Sequence, residues 1–212
     1  MPRRFVLFDF DGVIADALPL AYDVARTMHP HMTREEYIPL WDENIYESTK
    51  KLNCGPDCRR SAEEFFAEYT PRRDEIQIVA GAKEMVQRLA TDYTLCVISS
   101  SLSLDVMAFL ERFEIAQHFA DILGMDVHES KIERINTILA RYDATQRDCV
   151  FVTDTVGDMR EARKSGIDAI AVSWGFQPGE RLAKESPVAL VERPADLPAA
   201  VAVYFENAYA RA

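Results

Sequence analysis

The chain of 212 residues contains no apolar run near the ~18 residues that a membrane-spanning helix needs. It has only eight glycines and no repeated or low-complexity tract, which excludes fibrous and linker-like architectures. Basic charge is also scarce. Lys and Arg total 24 against 35 Asp and Glu, for a net charge of −11. Such a chain repels nucleic-acid phosphate and anionic lipid, so no nucleic acid and no membrane is expected as a partner. A small anionic ligand remains compatible if a metal or a placed Lys or Arg offsets the field locally. The basic start, Met1 to Arg4, is followed by an apolar stretch that Asp9 cuts short, so no signal-peptide core is expected there. The four cysteines are Cys54, Cys58, Cys96 and Cys149. They are expected to be reduced thiols in a cytoplasmic protein.

What is present is the balance of a globular chain, 48% hydrophobic and 28% charged. The length suits one domain, or a core with a small inserted one. Arg4 to Phe8 is a short apolar run ending in acids, the pattern of a buried strand. From Ala17 to Gln77 the spacing is helical, with Leu20, Val24 and Met28 in one register and Phe65, Phe66 and Tyr69 in another, and no strand is expected there. From Ile78 onward strands and helices alternate. Strands are expected at Thr94–Ile98, Asp121–Gly124, Cys149–Thr153, Ala169–Val172 and Val188–Val191. Helices are expected at Gly81–Leu89, Leu104–Phe113, Ser130–Tyr142 and Asp158–Ser165, the last closed by Gly166. Alternation of this kind predicts an α/β fold, a Rossmann-like parallel sheet with helices on both faces. Residues 1–16 and 78–212 form the expected core and 17–77 a small inserted α-helical cap domain over the carboxyl ends of the strands, where such sheets bind ligands.

Asp9-Phe10-Asp11-Gly12 carries the strongest chemical signal. Asp9 and Asp11 fall on one side of a strand end, near enough to share a metal. Two close carboxylates need a cation between them, and magnesium takes oxygen ligands while leaving positions open for phosphate. A metal-held carboxylate can attack phosphorus, and a second acid can protonate the leaving oxygen and then activate water. Gly12 permits a sharp turn. The competing reading is an ordinary acidic turn.

Three further positions lie at strand ends. Ser99, followed by Ser100, offers a hydroxyl and backbone N–H to a phosphoryl oxygen, or else caps the helix that follows; Ser101 or Ser103 is the alternative cap. Lys131 stands at the start of a helix, where the macrodipole disfavours a cation, so its placement is informative. Asp154 ends a strand expected beside the first. Asp158, one turn on, supports a metal site from behind, or simply favours the helix start, or both.

In these four motifs, in this order, the chain resembles the haloacid dehalogenase superfamily in its phosphatase branch. The likeness extends to phosphoglycolate phosphatase-like and β-phosphoglucomutase-like members. It implies a magnesium-dependent phosphatase acting on a small phosphorylated metabolite. It gives Asp9 as nucleophile and metal ligand, and Asp11 as general acid/base with its carbonyl on the metal. Ser99, Ser100 and Lys131 would bind phosphate, Asp154 would be a metal ligand, and Asp158 would support the metal site. A monomer or homodimer is expected. The sequence departs from common family patterns at Val13, Ala17, Ile132 and Thr153, none of which removes a catalytic group.

A dehalogenase or phosphonate hydrolase would lack Asp11. A phosphosugar mutase on the same scaffold would usually carry a Lys where Leu102 stands and a His where Ala21 stands. A non-catalytic binding protein would have lost one of the acids or Lys131. Substrate choice is expected from the cap, around Trp41, Asn44 and Lys50, although Trp41 could equally anchor the packing. Trp174-Gly175-Phe176 is either a family-type loop or an aromatic core contact. His29, His31, Cys54 and Cys58 have spacings looser than those of zinc fingers and are read as ordinary loop residues.

Overall fold

The computed structural model describes residues 3–43, 48, 62–128 and 130–210. Six parallel strands form the central sheet: β1 (Phe5–Phe8), β4 (Thr94–Ile98), β5 (Phe119–Leu123), β6 (Cys149–Thr153), β7 (Asp168–Val172) and β8 (Ala189–Val191), in the order β5-β4-β1-β6-β7-β8. β1 is central, paired with β4 through Phe5↔Thr94 and with β6 through Phe5↔Cys149. The chain fills one side of β1 and then the other. The strand order therefore reverses beside β1, the position at which open α/β sheets form a crevice beyond the strand carboxyl ends.

Strict alternation along the strands explains the layers. Val6, Phe8, Leu95, Val97, Val150 and Val152 point into one buried cluster. Phe5, Leu7, Cys96, Ile98, Cys149 and Phe151 point into the other. Helices Ala82–Leu89 and Ser103–Arg112, with Leu197, Val201 and Phe205 of helix Leu197–Ala210, cover the first face. Helices Lys131–Tyr142 and Val156–Lys164 cover the second. Both faces are dry, which is why the strands read as near-continuous apolar runs. Cys96 on β4 and Cys149 on β6, with β1 between them, are buried free thiols, and burial pushes each up to about 12.

Most elements fall within two residues of their expected bounds. One differs in kind. Gln77 lies in a strand: β2 (Ala15–Asp16) and β3 (Gln77–Ile78) pair antiparallel, Asp16↔Gln77, outside the main sheet. Two-residue strands are too short to leave an alternation pattern. Between them, the described residues are helical: Leu18–Met28, Arg34–Tyr37, Ala62–Tyr69 and two 3-10 segments. The first helix buries Leu20, Ala21, Val24 and Met28, the expected register. Helix Leu197–Ala210 lies beyond the last element read from the sequence.

Candidate active site

β1 ends at Phe8, and the next residues turn away from the sheet at its carboxyl edge. Gly12 sits at φ +83, and its N–H donates to the Ala15 carbonyl at 2.7 Å. A Cβ at Gly12 would collide with Asp154 Oδ2, so only glycine closes this turn. Asp9 is buried, held by its N–H on the Val152 carbonyl.

Lys131 Nζ lies 2.7 Å from Asp9 Oδ1 and 2.7 Å from Asp158 Oδ2, with all three side chains buried. Ser130 caps its helix by accepting from the Ile132 N–H, so the lysine projects from a fixed first turn. Asp158 is fixed twice more. Thr153 donates to its Oδ2 at 2.9 Å, and the Thr155 hydroxyl accepts its N–H at the helix start. Thr153, a departure from common family sequences, thus orients the acid that orients the lysine.

Asp11 Oδ2 accepts from the Ser101 hydroxyl at 2.7 Å. Asp154 Oδ2 accepts from the Phe176 N–H at 2.6 Å. A Cβ at Gly175 would collide with that same oxygen, so the loop after β7 approaches Asp154 only because residue 175 is glycine. Trp174 pins the loop by donating to the Val13 carbonyl.

Three buried carboxylates, Asp9, Asp154 and Asp158, and the half-buried Asp11 thus surround one lysine. Burial opposes the charge of Asp158, but Lys131 and the hydrogen bonds hold it below the usual carboxylate range. Burial holds Asp9 well above that range despite Lys131, and raises Asp11 despite Ser101. Burial pushes Asp154 up to about 7 against the Phe176 hydrogen bond. Lys131 stays above its ordinary value because Asp158 and Asp9 outweigh its own desolvation. Asp11 Oδ1 and Asp154 Oδ1 are buried with no hydrogen-bond partner. A buried acceptor left unpaired costs about 1–3 kcal/mol, and more when charged.

Among the described residues no three His, Cys, Asp or Glu side chains converge as a finished ligand cage. A magnesium ion does not need one, since it binds through one or two carboxylates and keeps several waters. Two orphaned carboxylate oxygens and an excess of buried negative charge are the donor set such an ion fits.

A cavity of about 140 Å³ opens on this cluster. Asp9, Asp11, Ser100, Ser101, Lys131 and Asp158 line its charged side, while Ser99 and Asp154 lie behind it. Ser99 is fully buried, and its hydroxyl accepts from the Ser101 N–H at 2.9 Å. The expected cap at Ser101 or Ser103 is not found, because Leu102 is the N-cap and offers no side-chain bond. Asp126 does the work from the next loop, accepting from both the N–H and the hydroxyl of Ser103. Ser101 is freed to bind Asp11, a role the sequence reading assigned to no residue.

The rest of the lining is largely aromatic. Trp41 belongs to it and meets Phe176 edge-on at 4.5 Å, so its anchoring and cavity-lining readings coincide. Asn44 and Lys50 lie outside the described residues, as do Cys54 and Cys58. Gln177, buried, joins the two parts of the chain. Its Oε1 accepts from the Val156 N–H, and its Nε2 donates to Ile38 O and Asp42 Oδ1. Arg181 Nε adds a 2.7 Å bond to Asp42.

The model of the haloacid dehalogenase-like hydrolase family matches residues 6–172. A phosphoglycolate phosphatase of Synechococcus elongatus is 26% identical, covering 92% of this chain and 96% of that protein. A pyrophosphatase of Listeria monocytogenes is 24% identical over 92% of this chain and 95% of its own length. A haloacid dehalogenase-like hydrolase from Streptococcus pneumoniae superposes with a TM-score of 0.81 at 18% identity, covering 93% of this chain and 97% of that one, a likeness of fold. No helix among the described residues is long and apolar enough to cross a membrane. With the motif-bearing residues 6–172 matched and the parallel sheet placing them at one edge, the chain belongs to the haloacid dehalogenase-like hydrolases.

Proposed function

We propose that this phosphatase releases phosphate from a small phosphorylated metabolite through a covalent aspartyl phosphate, an acyl phosphate on Asp9. The observation that carries the reading is the triad of Asp9, Lys131 and Asp158, closed by two 2.7 Å contacts, beside the orphaned oxygens of Asp11 and Asp154. Magnesium, held by Asp9, Asp154 and the main chain at Asp11, would supply charge stabilisation to the phosphoryl oxygens. Lys131, already fixed toward Asp9, adds a second cation on the same group, and Ser99 and Ser100 extend the hydrogen-bonding edge.

In the first step an Asp9 oxygen bonds to phosphorus while the ester P–O bond breaks, and Asp11 gives its proton to the leaving oxygen. In the second, Asp11 takes a proton from water. That water oxygen bonds to phosphorus, the Asp9–phosphorus bond breaks, and inorganic phosphate departs. Ser101 keeps the Asp11 carboxyl aimed at the cavity. Asp158 acts by holding Lys131.

Residues 17–77 act as a cap that covers the cavity and reads the leaving group, hinged at the β2–β3 ribbon. The phosphatase names of the similar proteins support hydrolysis of a phosphate bond. Ala21 lines the cavity and bears no proton-transfer group, which favours hydrolysis over a mutase. Phosphate release from a panel of phosphorylated metabolites, measured with magnesium and after chelation, tests the reading. Metal-dependent release is expected. No release from any ester by folded protein contradicts it.

A further inference from the structure

The two sides of the cavity differ in chemistry, and the phosphoryl chemistry uses only one. Asp9, Asp11, Lys131 and the serines occupy the sheet edge. The lining also holds Met28, Tyr37, Trp41, Phe65 and Tyr69, joined to the acidic end by Phe176, whose main-chain N–H holds Asp154. These rings pack on one another: Tyr37 and Trp41 at 6.1 Å, Trp41 and Phe176 at 4.5 Å, Phe65 and Tyr69 stacked at 5.2 Å. They come from three separate segments of the described helical region and from the loop after β7, so the wall is assembled rather than inherited from one helix.

Its charges point the same way. Among the described residues on the wall, Lys131 is committed to Asp9 and Asp158, and His29 is the other basic side chain. Glu43 and Glu161 also line the cavity, and they repel a second negative charge on a ligand.

We infer that the leaving group is an uncharged, apolar or aromatic alcohol, and that substrates with a second anionic group are rejected. This rests on the phosphatase reading and narrows it. The wall selects by removing apolar surface from water, while the acids on its rim exclude a carboxylate or a second phosphate.

The test compares esters whose alcohols leave with similar ease, so that binding and not leaving-group acidity decides. Values of kcat/KM for benzyl phosphate, ethyl phosphate and phosphoglycolate are measured on the full chain with magnesium. Benzyl phosphate is expected to exceed ethyl phosphate at least about tenfold, and phosphoglycolate to fall below ethyl phosphate. Trp41→Ala should lower the benzyl-to-ethyl ratio by several-fold. If that variant does not fold, competition on the natural chain replaces it, with benzylphosphonate expected to inhibit at least about tenfold more tightly than methylphosphonate. Equal values for benzyl and ethyl phosphate, or a preference for phosphoglycolate, would overturn the inference while leaving the phosphatase reading intact. Silence toward every ester overturns both.

Discussion

The sheet-edge half of the cavity and its aromatic half are built on opposite principles. On the sheet edge, charged groups are buried and held by fixed partners: Lys131 between Asp9 and Asp158, Asp158 on Thr153, Asp11 on Ser101. The aromatic half holds rings in mutual contact with few fixed polar ties. The first arrangement fixes where a phosphoryl group and its charge must sit. The second recognises shape and apolar area, which tolerates variation in the substrate. Chemistry and selectivity are thus separable, and substitutions should divide accordingly.

The largest separation is expected from Asp9→Asn. It removes the attacking charge and nothing from the aromatic wall, so kcat should fall by at least about 10³-fold while an apolar phosphonate still binds, as steady-state kinetics and calorimetric titration can check. Chelation comes next. A strong chelator should bring phosphate release to background and added magnesium should restore it, with circular dichroism unchanged, because the ion completes a site whose residues are already in place.

Lys131→Met sharpens the comparison through stability. It leaves Asp9 and Asp158 buried with no cation, a loss of about 3–5 kcal/mol that urea unfolding should register. The same change to an apolar wall residue would create only a cavity. Gly175→Ala tests the close approach to Asp154. The added Cβ must displace that carboxylate or the loop. A rise in the magnesium concentration needed for half-maximal activity, with a smaller loss of stability, is the expected outcome.

The smallest effect lies away from both halves. Asp126 is held below the usual carboxylate range chiefly by the Ser103 N–H. A depressed folded value means that its stabilisation is present above the unfolded value and is lost as pH falls through the folded one. Water screens this exposed group and Asn keeps the accepting oxygen, so Asp126→Asn should cost only about a few tenths of a kcal/mol at neutral pH and nearly nothing at strongly acid pH.

The two halves were also unequally legible. Parallel strands buried on both faces announce themselves as apolar runs, so β1, β4 and β6 could be read locally, and Asp9, Ser99 and Asp154 follow from where those runs stop. Lys131 could be singled out because a cation at a helix start is unusual. What escaped was set by long-range contact. Ser101 reaches Asp11 only because β4 lies beside β1, and Asp126 caps a helix from a loop beyond the following strand. Phe176 offers its main-chain N–H to Asp154, a group every residue but proline carries and no sequence pattern marks. The aromatic wall has helical spacing within each segment, but nothing local shows that Trp41 meets Phe176. The β2–β3 ribbon was too short to see. Helix Leu197–Ala210 was readable from Leu197, Val201 and Phe205 at intervals of four, a signal the sequence reading left unused.

The central claim is that Asp9 itself becomes phosphorylated. Acid quenching during turnover, followed by proteolysis and mass spectrometry, tests it most directly. The account predicts one phosphoryl mass on the peptide bearing Asp9, removed by hydroxylamine and absent from Asp9→Asn. Steady turnover with no phosphorylated peptide at any quench time, together with an Asp9→Asn protein that keeps near-normal activity, would contradict it.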